Sequence, residues 1–125
     1  MNEDMTVVGK VTVTQETDVT RQMVNDILCT AFEGGINYWC DSATAEVWPE
    51  GAEYTSDTLA LGSVILIHDA EDDENYRLTL DMFLEGLSKA ANHYGMSIES
   101  FYNNHDAEYA DLVVQFALFD TVVYG

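Results

Sequence analysis

The chemistry of this chain would lie in its carboxylates. Between Arg21 and Arg77 there is no Lys or Arg, yet the interval holds Asp26, Glu33, Asp41, Glu46, Glu50, Glu53, Asp57, Asp69, Glu71, Asp72, Asp73 and Glu74. After Lys89 the charged side chains, histidines aside, are again all acids: Glu99, Asp106, Glu108, Asp111 and Asp120. The whole sequence sets 4 Lys plus Arg against 23 Asp plus Glu, a formal charge of −19, so self-pairing cannot neutralise its surface. Carboxylates at this density can hold cations, work as general acids and bases, or present fixed negative charge to a basic surface.

The first two options require patterns that the sequence lacks. A calcium loop of the EF-hand kind starting at Asp69 needs a glycine at its sixth position and a bidentate Glu at its twelfth. Glu74 and Leu80 stand there, and Asp69 to Asn75 reads instead as a solvated hairpin connection. His68, His93 and His105 come without an HxH, HExxH or nucleophile-elbow context, so each reads as an ordinary surface or strand-end histidine. Paired carboxylates for glycoside chemistry carry no information among so many acids. Gly34-Gly35 follows a helical pattern, whereas a phosphate cradle opens one. Cys29 and Cys40 form no CxxC pair and read as two reduced thiols. No motif requires a metal or another cofactor.

Fixed negative charge toward a basic surface remains. Such a field repels nucleic acid, whose affinity for proteins rests on Lys and Arg displacing counterions, so direct nucleic-acid binding is disfavoured. It attracts the basic groove of a nucleic-acid-binding protein, where carboxylates on a rigid scaffold can stand in for phosphates. The spacing is compatible: alternate strand residues lie ~6.6 Å apart and helix neighbours at i, i+4 about 5 to 6 Å. The plain alternative is acidity that serves solubility or a salt-rich habitat. Tyr38, Trp39 and Trp48 read as core aromatics of a strand region. One of them exposed beside Glu46, Glu50 and Asp57 would make an aromatic anchor with an acidic rim, provided that Arg77 and Lys89 lie elsewhere.

The scaffold that must position these groups is readable from periodicity. A length of 125 residues with 47% hydrophobic residues can bury a core without disulfides or metals, so folding should outweigh self-repulsion, with stability rising with ionic strength. The alternation from Met5 to Thr14 predicts a short first strand. Met23, Val24, Ile27, Leu28, Ala31 and Phe32 repeat at helical spacing up to Gly34-Gly35. Ile36 to Trp48 predicts one strand or a twisted pair before Pro49. Ser56 is placed to cap a short helix ending at Gly62. Ser63 to His68 and Tyr76 to Thr79 predict an antiparallel hairpin.

Thr79 then caps a helix whose apolar face runs from Leu80 to Tyr94, with Gly95 as its stop. Ser97 to Tyr102 predicts a helical turn, and Asn104 or Asp106 caps a last helix that is apolar nearly all round. That helix is expected to be the central buried one or to join copies of the chain as a homo-oligomer. Thr121 to Tyr124 extends it or returns as an edge strand. With no repeat, linker or second composition regime, residues 1–125 form one compact α+β domain, an antiparallel sheet of about four strands packed against three main helices. The N-terminus lacks a basic region followed by an apolar run, and no apolar stretch approaches the roughly 20 residues that cross a bilayer, so a cytoplasmic protein without membrane contact is expected.

From Val11 to Gly125 the chain resembles small acidic proteins encoded by phages and prophages of gut Firmicutes. The resemblance is carried by Asp26 to Ala31, Glu33 to Cys40, His68 to Glu71 before Leu78 to Asp81, and Asp106 to Glu108 with Gln115 to Phe119. It implies a phage context, in which small acidic proteins resemble inhibitors of host nucleases, anti-CRISPR and anti-restriction proteins among them. The function expected is a non-enzymatic inhibitor acting in the host cytoplasm. Its partner would be a nucleic-acid-binding defence protein with a basic groove, met through Asp41, Glu46, Trp48, Glu50, Glu53, Asp57, Asp69, Glu71, Asp72, Asp73 and Glu74. Two alternatives stand beside it. One is an oligomeric sponge for a nucleotide immune signal, with Arg21 or Arg77 as donors; the other is a divalent-cation-dependent hydrolase using Asp69 and Asp73.

Overall fold

The computed structural model describes residues 4–10 and 16–125. Thr20 starts helix α1, Arg21–Thr30, its hydroxyl accepting from the Met23 amide. A π-helical turn, Ala31–Gly35, prolongs it, with Ile36 N–H donating to Ala31 O at 3.0 Å. Strand β1, Cys40–Ala45, leads through a loop and two 3-10 turns, Thr55–Asp57 and Leu59–Leu61, into β2, Ile65–Asp69, and β3, Glu74–Leu78. Three helices follow: α2, Leu80–His93; α3, Ile98–Asn104; and α4, Ala107–Phe119. The sheet has order β1-β2-β3 and is antiparallel throughout.

The α+β class and the antiparallel sheet agree with the sequence reading, and the element counts do not. Among the described residues, three strands and four α-helices stand in place of about four strands and three main helices. Of the strand expected over Met5 to Thr14, residues 5–10 form no strand, Met5, Val7 and Val8 are exposed, and residues 11–15 lie outside the described residues. Alternation marks a segment able to pair, but a strand exists only where an edge takes it up. Strand β1 begins later than expected, because the Trp39 and Cys40 amides both donate back to Ile36 O in a turn (3.0 and 2.8 Å). It also stops at Ala45, which leaves Trp48 in a loop. Ser97 to Tyr102 proves to start a full seven-residue helix, capped by the Ser97 hydroxyl.

Helix α4 is the axis of the core. It packs along α2, where the crossing is close enough that a Cβ on Gly86 would lie 2.5 Å from Val113 O and 2.8 Å from Ala117 Cβ. Gly35 likewise sits where a Cβ would meet Ala107 O at 2.8 Å, which seats the π turn against the start of α4. Trp39, Phe83, Phe101, Leu78, Ile65 and Ile67 complete the buried centre.

Two buried polar residues of α4 organise what surrounds it. Asp111 accepts from Trp39 Nε1 and Gln115 Nε2, each at 2.9 Å, and from the Tyr38 hydroxyl at 2.5 Å. Burial, then this carboxylate, push the Tyr38 phenol up to about 12. Gln115 Oε1 accepts the amides of Val123 (2.8 Å) and Tyr124 (2.9 Å), so the last residues neither extend α4 nor pair as an edge strand but fold back over the core. There Tyr124 stacks on Trp39 with centroids 5.4 Å apart, and its hydroxyl donates to Asp69 Oδ2 at 2.6 Å. Among the described residues, no buried side-chain nitrogen or oxygen lacks a hydrogen-bond partner.

Two substitutions test this packing by denaturant unfolding. Gly86→Ala should destabilise despite the ~1 kcal/mol helix-propensity gain of alanine, because overpacking a closed crossing costs about 1–3 kcal/mol or more; an unchanged or raised midpoint would show that α2 and α4 are not in this contact. Gln115→Leu keeps the volume but strips two tail amides and Asp111 of a partner, and should cost about 1–3 kcal/mol per buried group left unsatisfied.

Candidate functional site

The acids of the expected partner surface are sorted by the sheet into two groups. Strand β1 spans five residue steps, ~16 Å at about 3.3 Å each, and separates a hairpin end from a loop end. At the hairpin end, Asp41 lies beside the β2–β3 connection, since Cys40 pairs with Asp69. Past the other end of β1, Glu46 follows the strand directly and Glu50 lies in the loop after it, while Glu53 and Asp57 flank the segment whose Thr55 lines a hollow together with Asp41 and Ser42.

The hairpin end is built by local chemistry. The register of β1 on β2 shifts between Cys40 and Ser42, so Asp41 is the extra residue of a β-bulge, a device that re-aims a side chain. Its carboxylate accepts from His68 Nδ1 at 2.6 Å, while His68 Nε2 meets Asp73 at 2.9 Å. One imidazole thus ties the bulge to the hairpin tip, and these bonds, Asp41 first and Asp73 second, raise the His68 pKa above its usual value. Asp73 adopts a left-handed backbone, φ 54°, which Asp tolerates better than most residues.

Two further carboxylates turn the chain at the tip. Asp69 Oδ1 accepts from the Glu71 amide at 2.9 Å, and Asp72 Oδ1 accepts from the Glu74 amide at 3.2 Å. The Tyr76 hydroxyl also donates to Asp72, at 3.0 Å. Glu71, Asp72, Asp73 and Glu74 are all exposed on this ordered turn.

The structure corrects several expected roles. Asp69 is fully buried, held by Tyr124 and the Glu71 amide, so its carboxylate belongs to the core and is not presented outward. Glu46 is engaged by Arg77, whose Nε and Nη2 donate to its two oxygens at 2.6 and 2.9 Å, and the guanidinium holds the Glu46 carboxyl below the usual range. Arg77 therefore lies at the acidic loop end rather than away from it; antiparallel register aligns it with Leu66, whose other neighbour Thr44 is two residues before Glu46. Asp57 Oδ2 accepts the amides of Glu53 (3.1 Å) and Tyr54 (2.9 Å), the capping role expected of Ser56, which is buried.

Of the three aromatics expected in the core, only Trp39 is there. Tyr38 and Trp48 are 52% and 53% exposed. Trp48 Nε1 donates to Ala52 O at 3.2 Å, and Ser63 Oγ to Val47 O at 2.6 Å, so the loop holding Glu50 and Glu53 is internally braced. Lys89 pairs with Asp120, at the end of α4.

His68 is the site residue that its sequence context did not mark. Its position at a strand end beside an acidic run is a local signal, but Asp41 joins it only through the bulged register. Cys29 and Cys40 are free thiols, both pushed up chiefly by burial. No cluster of three or more His, Cys, Asp or Glu among the described residues is arranged to hold a metal ion, and no described helix is long and apolar enough to cross a membrane. The chain matches no protein-family model, no curated protein and no solved structure.

The His68 bridge has a pH signature. Because its folded pKa is raised, its contribution to stability should be fully present below the unfolded value of about 6.5 and lost as pH rises through the folded value. Titration of the His68 ring by NMR should place its midpoint above 6.5, and His68→Gln should remove that arm of the pH–stability profile; a midpoint at or below 6.5 would rule out the two-carboxylate clamp.

Proposed function

We propose that this protein is a non-enzymatic inhibitor that docks its hairpin end on a basic, nucleic-acid-binding surface of a host defence protein, with carboxylates taking the places of phosphates. The observation that carries the reading is the ordered group of exposed acids Asp41, Glu71, Asp72, Asp73 and Glu74 at one end of the sheet. His68 holds the Asp41 and Asp73 carboxylates, the Glu74 amide and the Tyr76 hydroxyl hold that of Asp72, and Asx turns fix the backbone of Glu71 and Glu74 before any partner arrives, which lowers the ordering cost of association. The ion pairs of Arg77 and Lys89 fall on Glu46 and Asp120, so neither cation neutralises this group. Long-range attraction from a net charge of −19 would speed encounter with a cationic groove.

Such a role accords with the resemblance to phage-encoded acidic proteins. The nucleotide-sponge alternative draws less support, since one of its two candidate donors, Arg77, is bidentate on Glu46. A cation-dependent hydrolase would rely on Asp69, whose oxygens serve the core.

Affinity capture from bacterial lysate with the full chain should retain a nucleic-acid-binding enzyme, released by raised salt and by competing DNA. The triple variant Glu71→Gln, Asp72→Asn, Asp73→Asn should lose most of that capture while remaining folded. Capture that is indifferent to salt, to DNA and to the triple variant would overturn the reading.

A further inference from the structure

Beside the hairpin end, the surface carries a groove that the acidic group alone does not explain. A cleft of about 380 Å³ is lined by Cys29, Phe32, Glu33, Tyr54, Thr55 and Ser56. A second hollow of about 200 Å³ shares Phe32 and Thr55 with it and reaches Asp41 and Asn37. The two together run from Glu33 to the edge of the hairpin-end acids. The first falls in the lower part of the ~300–1,000 Å³ range of ligand clefts, and the second is a smaller extension of it.

The walls are chemically specific. Phe32 and Glu33 both lie on the Ala31–Gly35 turn that closes α1. Tyr54, which lines the same cleft, is 63% exposed, on backbone that Asp57 pins. Glu33 is exposed, and the Lys and Arg ion pairs among the described residues involve other acids. The Cys29 thiol, also in the lining, is pushed up by burial and by Glu33, which keeps it neutral at neutral pH. Two aromatic rings and a carboxylate in one lining suit a planar cation that stacks and hydrogen-bonds at once, and arginine does both where lysine offers only a point charge.

We infer that this cleft receives an arginine side chain of the basic partner, its guanidinium between Phe32 and Tyr54 and facing Glu33, while the flanking partner segment follows the groove toward Asp41. This rests on the reading that the partner is a basic protein, but involves residues separate from the hairpin tip. Its charge complementarity is local, so it adds arginine selectivity to an otherwise sequence-tolerant electrostatic contact.

The full chain, labelled with 15N, titrated with capped Gly-Arg-Gly and, separately, capped Gly-Lys-Gly, tests it. The arginine peptide should give saturable amide shifts at Cys29 to Gly35 and Thr55 to Asp57, and the lysine peptide should bind more weakly. Glu33→Gln and Tyr54→Ala should each weaken binding about fivefold or more, with Tyr54→Phe retaining it. The hairpin-tip variant should leave these shifts in place, so loss of lysate capture on the tip variant and loss of peptide binding on the cleft variants report on the two proposals independently. Shifts confined to Glu71 to Glu74, no saturation, or wild-type affinity in both Glu33→Gln and Tyr54→Ala would overturn the arginine site.

Discussion

A carboxylate buried in the middle of an apolar helix must be satisfied on every side, and Asp111 sets this requirement for the fold. Taking an ionised group out of water costs several kcal/mol unless hydrogen bonds replace its hydration. Tyr38, Trp39 and Gln115 supply the donors, which fixes the turn before β1 against α4. Gln115 in turn takes two amides of the final residues, and Tyr124 reaches from there to Asp69. Removing any member leaves another buried polar group without its partner, so these residues behave as a unit spanning α4, the chain end, β1 and β2.

The same network positions the acidic end of the sheet. Asp69 is anchored from inside by Tyr124, and the chain leaves it directly into the exposed turn. A hairpin carrying Glu71, Asp72, Asp73 and Glu74 would otherwise be spread by its own repulsion. It is instead held by one carboxylate turned inward, by Asp72 folding back on the Glu74 amide, and by His68 lying between Asp41 and Asp73. The sparse positive charge is spent on geometry: Arg77 joins β3 to the end of β1, and Lys89 joins α2 to the end of α4.

How much of this was readable along the chain depended on whether the cause was local. The Thr79 cap, Asp106 as one of two candidate caps of α4, the 3.6-residue period of α1 and α2, and the β2–β3 hairpin were all readable, because capping and amphipathicity act within a turn or two of the chain. The strand expected near Met5 was misread over residues 5–10, since pairing requires an edge elsewhere in the fold. Trp48 looked like core for the same reason: an aromatic in a strand-like run is buried only if the strand continues that far. Arg77 meeting Glu46, and Asp41 meeting His68, arise from register across β2 and from one bulge, to which neither residue's sequence neighbours point.

The order and types of residues by themselves determined the sign and scale of the field, the shortage of counter-charge between Arg21 and Arg77, and the α+β class, because these depend on residue inventory and short-range periodicity. Tertiary structure decided which carboxylates act as exposed charge and which serve the core. Asp69 and Asp73 lie four residues apart in one acidic run, yet one is wholly buried and the other faces solvent. The difference is physical: strand β2 alternates inward and outward, a tyrosine from the far end of the chain meets the inward carboxylate, and only a folded chain brings the two together.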